Sequence, residues 1–145
     1  MAIAKMSVAE LEKFLHTEFP QAFSSGDIQI ESADGASCLL RQRYSDQMLR
    51  PGGTVSGPTL MALADCAMYV VLLSAIGPAG LTVTTNLTIN FLRKGAPGND
   101  GLAAAKLLKL GRRLAMGEIV LFSGTSTDPI AHATATYSIP DTDGF

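Results

Sequence analysis

A chain of 145 residues, 47% of them hydrophobic, is one ordinary domain, long enough to bury a sizeable core. Eleven Lys and Arg against thirteen Asp and Glu leave a net charge of −2, which provides no basic footprint for nucleic acid. The two cysteines, Cys38 and Cys66, share no CxxC spacing and fit a reducing compartment, and residues 1–5 lack the apolar core of a secretory signal, so a cytoplasmic protein is expected.

Ser7 precedes Val8, Leu11, Phe14, Leu15 and Phe19, a helical stripe, and Glu10 completes a capping box, so a short amphipathic helix is predicted. Pro20 and Ser24-Ser25-Gly26 stop it, and residues 1–26 read as N-terminal helix and linker. Residues 27–33 and 36–44 are β-like runs around Asp34-Gly35, a strong hairpin signal. Residues 46–55 read as a Gly/Pro-containing loop.

From Ser56 to Ile76 the chain is apolar on nearly every side of a helix, with Asp65 as its single charge after Pro58. Ser56 can cap this helix, Pro58 suits its first turn, and Gly77-Pro78 ends it. The length would span a bilayer. A carboxylate at the bilayer centre costs about 2.5 kcal/mol or more, and no Lys/Arg cluster flanks either end, so a buried core helix is expected.

Beyond residue 80 the period becomes two. Leu81, Val83, Thr85, Leu87, Ile89 and Phe91 should share one face of a long strand, with Thr82, Thr84, Asn86, Thr88 and Asn90 on the other. Residues 95–101 form a loop, 102–110 and 114–123 read as strands around Gly111-Arg112-Arg113, and a turn at 126–129 leads to a last strand alternating from Ala131 to Ile139. Residues 140–145 are expected to be a loose tail. Short turns join antiparallel neighbours, so the class is α+β: one antiparallel sheet curled around one helix. A single sheet cannot enclose that helix fully, which predicts a second copy of the chain on the open side.

Four stretches carry a resemblance: Gly57-Pro58-Thr59-Leu60-Met61-Ala62-Leu63-Ala64-Asp65-Cys66-Ala67; Asn86 to Arg93; Gly111-Arg112-Arg113-Leu114; and Ala131 to Tyr137. In this order they resemble hotdog-fold acyl-CoA thioesterases of the phenylacetate-pathway type, over residues 27–139 of the single domain. The resemblance implies a five- or six-stranded antiparallel sheet around the central helix, a homodimer often paired again into a tetramer, and hydrolysis of coenzyme A thioesters without metal or other cofactor. It further implies that Asp65 is nucleophile or general base, that the Gly57 N–H polarises the thioester carbonyl, and that Thr84 neighbours the carboxylate. Where the family reads His-Gly-Gly this chain has Ser56-Gly57-Pro58, and residues 46–50 hold no match to the family's upstream Asn.

Gly57 and Asp65 lie eight residues apart, about 12 Å along a helix at 1.5 Å per residue. They cannot meet one carbonyl carbon within one chain, which points to two composite sites in a dimer. Ser56 is expected to cap the helix and border the substrate, ahead of a role as nucleophile, because no sequence feature places a base beside it. Arg93, Lys94, Arg112 and Arg113 are either solvated or meet the phosphates of coenzyme A. His16 and His132 have no companion at metal-ligand spacing. Two other readings stay open: a non-catalytic acyl-CoA binding module, and a hydratase or dehydratase, which would need a His near the helix start.

Overall fold

Ser7 accepts a hydrogen bond from the Glu10 backbone N–H while Glu10 accepts one from Ser7, closing the predicted capping box and starting α1, Val8–Glu18. The computed structural model describes residues 3–79 and 81–141; residues 142–145 of the expected tail lie outside the described residues. Pro20 ends α1 and, having no N–H to satisfy, also opens a one-turn helix α2, Pro20–Phe23. β1 (Ile28–Ala33) and β2 (Ser37–Gln42) form the predicted hairpin. At its turn the Asp34 carboxylate accepts from the N–H groups of Ala36 and Ser37, and Gly35 takes φ 88° with its Cα side against Ala4.

Residues 46–55, expected to be plain loop, hold a 3₁₀ turn at Asp46–Met48 and a two-strand ladder, β3 (Leu49–Arg50) with β4 (Thr54–Val55). This ladder is tied forward. The Ser56 N–H donates to the Met48 carbonyl at 2.8 Å, and Val55 N–H to Gly95 at 3.1 Å.

The central helix α3 spans Gly57–Ile76, capped by Ser56 through the Thr59 N–H and ended by Gly77 at φ 92°. It is long and apolar enough to cross a membrane, but 72% of its most apolar stretch is buried inside the molecule, as expected of a core helix. Leu63, Val70, Val71, Leu72 and Leu73 are essentially inaccessible, and each buried Leu or Val contributes about 1.5–3 kcal/mol of transfer free energy. Ala103, Ala105, Ala115 and Gly117 on the sheet let it approach closely: a Cβ on Gly117 would stand 2.4 Å from the Met68 sulfur.

Four further strands complete one six-stranded antiparallel sheet: β5 (Val83–Phe91), β6 (Gly101–Leu110), β7 (Leu114–Ser123) and β8 (Ala131–Ser138), in the order β1-β2-β6-β7-β8-β5. The sheet has the curled, helix-filled form expected. One detail differs from the expectation that successive strands are neighbours. β5 does not pair with β6; it pairs with β8 at the far edge, while β6 pairs with β2. The connection from Leu92 to Asp100 is long enough to pass the ends of β7 and β8, and the Leu92 and Arg93 N–H groups anchor it to the Ile130 carbonyl.

A second difference lies inside β5. A β-bulge between Thr84 and Asn86 interrupts the alternation. Thr84 pairs with inward-facing Tyr137, whereas Leu87, Ile89 and Phe91 pair with inward-facing Ala135, Ala133 and Ala131. The predicted single apolar face is therefore split: Thr82 and Thr84 turn inward with Leu87, Ile89 and Phe91, while Leu81 and Val83 are 59% and 56% exposed.

The sheet leaves one strip of α3 uncovered. Pro58, Met61 and Ala62 are exposed and Asp65 is half-buried, an i, i+3, i+4, i+7 stripe on the first half of the helix; the second half is enclosed.

Candidate active site

Asp65 sits where that exposed stripe meets the inward-turned end of β5. Thr84 Oγ1 donates to Asp65 Oδ1 at 2.7 Å, and so does the Tyr137 hydroxyl, at 2.7 Å. The same hydroxyl lies 3.0 Å from the Asp65 backbone carbonyl. The bulge makes this possible, because it turns Thr84 to the helix side just where β5 faces Tyr137. Tyr137 is 3% exposed and its ring stacks on Tyr69, with centroids 6.2 Å apart. Burial first, and then the Asp65 carboxylate, hold the Tyr137 phenol far above the usual range, so it remains a proton donor.

A cleft of about 420 Å³ opens beside this carboxylate, lined by Asp65, Thr82, Thr84, Tyr69, Tyr137 and Phe19, with Glu18 and Val83 at its border. Phe19 packs edge-on against Tyr69 at 6.2 Å. The N-terminal helix, whose sequence signals only amphipathic packing, thus supplies a wall of the cleft. Thr82 is 6% exposed and its Oγ1 has no partner among the described residues.

Gly57 lies in a different cleft, of about 380 Å³, at the start of α3. Arg50, Thr54, Val55, Leu60, Phe91, Arg93 and Lys94 share its lining. As a first-turn residue Gly57 has a backbone N–H with no intrahelical acceptor. A side chain at this position would meet the Phe91 ring, 3.2 Å from a Cβ. The two clefts share no residue, so one chain does not bring Gly57 and Asp65 together.

The other sequence-predicted residues divide between these ends. The Ser56 hydroxyl is engaged as the cap, 2.8 Å from Thr59 Oγ1. Arg93 and Lys94 line the Gly57 cleft, with Arg93 also donating to the Pro129 carbonyl at 2.7 Å. Arg112 and Arg113 lie in the β6–β7 turn near the Asp65 end, where Arg113 pairs with Asp141 at 3.1 Å. Two residues escaped sequence reading. Arg50 joins the Gly57 cleft as a third cation, and Tyr137 reaches Asp65 from β8; an inward Tyr in an otherwise alanine-rich strand face was the one visible signal for the latter.

Neither cysteine offers a competing nucleophile. Burial pushes the thiols of Cys38 and Cys66 up to about 12, the Cys66 thiol further opposed by neighbouring Asp65. His132 Nε2 shares a hydrogen bond with Glu118 Oε2 at 3.0 Å on the outer sheet face, away from both clefts. Among the described residues no three His, Cys, Asp or Glu side chains converge as a metal site would require.

Comparison with known proteins gives this geometry a family. The family model described as the thioesterase superfamily matches residues 52–130, more than half of the chain. A thioesterase candidate from Silicibacter sp. TM1040 is 42% identical over 95% of this chain and 94% of its own, with a TM-score of 0.87. The PaaI protein of the phenylacetic acid degradation operon of E. coli is 22% identical over 94% of this chain and 97% of its own, TM-score 0.78. A thioesterase candidate from Streptococcus pneumoniae TIGR4, solved with coenzyme A, is 19% identical over 90% and 96%, TM-score 0.76. None of the curated proteins compared with the chain matches it. With its helix-wrapping sheet and a family match that spans the central helix and β5–β7, the chain belongs to the thioesterase superfamily and is a thioester hydrolase of the hotdog fold.

Proposed function

We propose that the protein hydrolyses acyl-CoA thioesters at two sites, each built from the Asp65 cleft of one chain and the Gly57 cleft of a second. The observation that carries this reading is the separation of the two clefts. A hydrolase needs a donor for the developing oxyanion and a group that attacks or activates water. Gly57 and Asp65 are the residues suited to those roles, and about 12 Å of helix divides them. Antiparallel apposition of two α3 stripes, from Pro58 to Asp65, would bring each Asp65 toward the partner's Gly57 and cover the exposed Met61. The β5 edge supports the same pairing: it is long, has no strand on its outer side among the described residues, and carries Val83 exposed on the outer face and Phe91 half-exposed on the helix face.

In such a site the Gly57 N–H polarises the thioester carbonyl. Asp65 then either takes a proton from water, whose oxygen bonds to the acyl carbon, or attacks that carbon itself to form an anhydride that water opens. In both routes the C–S bond breaks, a proton of the consumed water ends on the thiolate, and free acid and thiol leave. The cations around the Gly57 cleft, Arg50, Arg93 and Lys94, suit the phosphates of coenzyme A; coenzyme A bound to the S. pneumoniae thioesterase candidate is consistent with that choice. Arg112 and Arg113 would reach the same substrate from the other chain.

The test is thiol release from a panel of acyl-CoA esters, followed with a thiol-reactive dye. Turnover of at least one ester is expected; binding of acyl-CoA with no thiol released from any would favour the binding-module reading instead. Pantetheine thioesters, which lack the phosphates, are expected to show a higher KM than the matching acyl-CoA, and the gap is expected to narrow in high salt as exposed charge contacts are screened. Equal KM values at low salt would discard the phosphate contacts.

A further inference from the structure

We propose that Tyr137 is a positioning residue that, together with Thr84, pins Asp65 by one carboxylate oxygen, Oδ1, and leaves Oδ2 to do the chemistry. The inference rests on Asp65 being the reacting carboxylate, and it adds which atom reacts and what holds it there. An ionised carboxylate has two equivalent oxygens and a soft terminal torsion, so alone it would present either oxygen over a range of angles. Here both side-chain donors go to one of them: Thr84 Oγ1 and the Tyr137 hydroxyl each stand 2.7 Å from Oδ1. No described residue donates to Oδ2.

The Tyr137 hydroxyl has a single proton and two acceptors within reach, Oδ1 at 2.7 Å and the Asp65 carbonyl at 3.0 Å. The charged acceptor at the shorter distance takes it. The donor itself cannot wander. Tyr137 is clamped between its register partners Thr84 on β5 and Ala115 on β7, and its ring lies on Tyr69, one helical turn beyond Asp65. Thr84 is fixed by the bulge that turns it inward. Two donors approaching from two adjacent strands therefore define the carboxylate plane as well as its position.

Charge donated into hydrogen bonds makes Oδ1 the less basic and less nucleophilic oxygen. In one route Oδ2 accepts the proton from water while the water oxygen bonds to the acyl carbon, the C–S bond breaks, and the proton passes on to the leaving thiolate. In the other Oδ2 itself bonds to that carbon as the C–S bond breaks, and water then opens the anhydride, freeing the acid and Oδ2 and supplying the thiolate's proton. Positional control of this kind changes turnover and leaves binding of the substrate's remote parts untouched.

Tyr137→Phe keeps the ring and its stack on Tyr69 and removes only the hydroxyl. It is expected to lower kcat about tenfold with KM for the best acyl-CoA unchanged within about twofold. Thr84→Val should behave alike and Thr84→Ser should restore turnover, a pair that also carries the test if Tyr137→Phe does not fold. Because Tyr137 acts through Asp65, adding Tyr137→Phe to Asp65→Asn should cost no further rate. A wild-type kcat for both Tyr137→Phe and Thr84→Val, alongside an inactive Asp65→Asn, would overturn the positioning role and leave the Asp65 mechanism standing. A further drop in the double variant would also overturn it, by showing that Tyr137 acts on substrate directly. Full activity in Asp65→Asn would overturn both the proposal and the reading beneath it.

Discussion

Asp65→Asn is expected to lower kcat by about 10²-fold or more, the usual scale for losing a positioned acid–base group, with little change in melting temperature or oligomeric state. The structure explains why these two outcomes separate. The hydroxyls of Thr84 and Tyr137 both donate to Oδ1, and an asparagine can place its amide oxygen there and accept the same hydrogen bonds. Its NH2 group then occupies the position of Oδ2, where it can neither attack a carbonyl carbon nor take a proton from water. The half-buried setting on α3 is preserved and the oxygen proposed to react is lost. Thiol release and thermal melting on the same preparation check this. A carboxylate kept only for structure predicts the reverse pattern, a lowered melting point with hydrolysis intact, and that result would sink the mechanism.

Mixing two inactive variants is expected to recover activity. Gly57→Leu keeps a helical residue at the start of α3 but fills the cleft beside Phe91, whose ring lies 3.2 Å from the position of a Cβ. The thioester oxygen can then no longer approach the Gly57 N–H, and this variant should be as silent as Asp65→Asn. If each site takes Gly57 from one chain and Asp65 from the other, a hybrid dimer concentrates both lesions in one site and leaves the other intact. Random assortment makes about half of the dimers hybrid, so co-refolded or co-expressed variants should regain about a quarter of wild-type kcat. Sedimentation on the same mixture should show a dimer or larger. No recovery from a mixture shown to contain hybrids would place both groups in one chain. An active monomer would exclude the shared site.

The parts of this molecule legible in the sequence are those made by neighbours along the chain. The Ser7–Glu10 capping box, the Asp34 turn, the Ser56 cap and the Gly77 stop each depend on residues within about four positions, and a run apolar on nearly every side shows α3 as a core helix with one carboxylate. The motif order alone brought Gly57, Asp65 and Thr84 forward as a set. What only the tertiary structure decided depends on partners far apart. β5 lies at the far edge of the sheet because strand order follows from pairing with β8, which alternation within β5 does not encode. The bulge at Thr84 comes without a glycine to announce it, yet it reverses the facing of Thr82 and Thr84 and so delivers Thr84 to Asp65. Tyr137 meets Asp65 across 72 residues of sequence, and Arg50 joins Arg93 and Lys94 only because the β3–β4 ladder is held against Gly95. Local hydrogen bonds and periodicity write themselves into adjacent residues; a site assembled from a helix, two strands and a loop is set by packing among segments whose sequences carry no mark of one another.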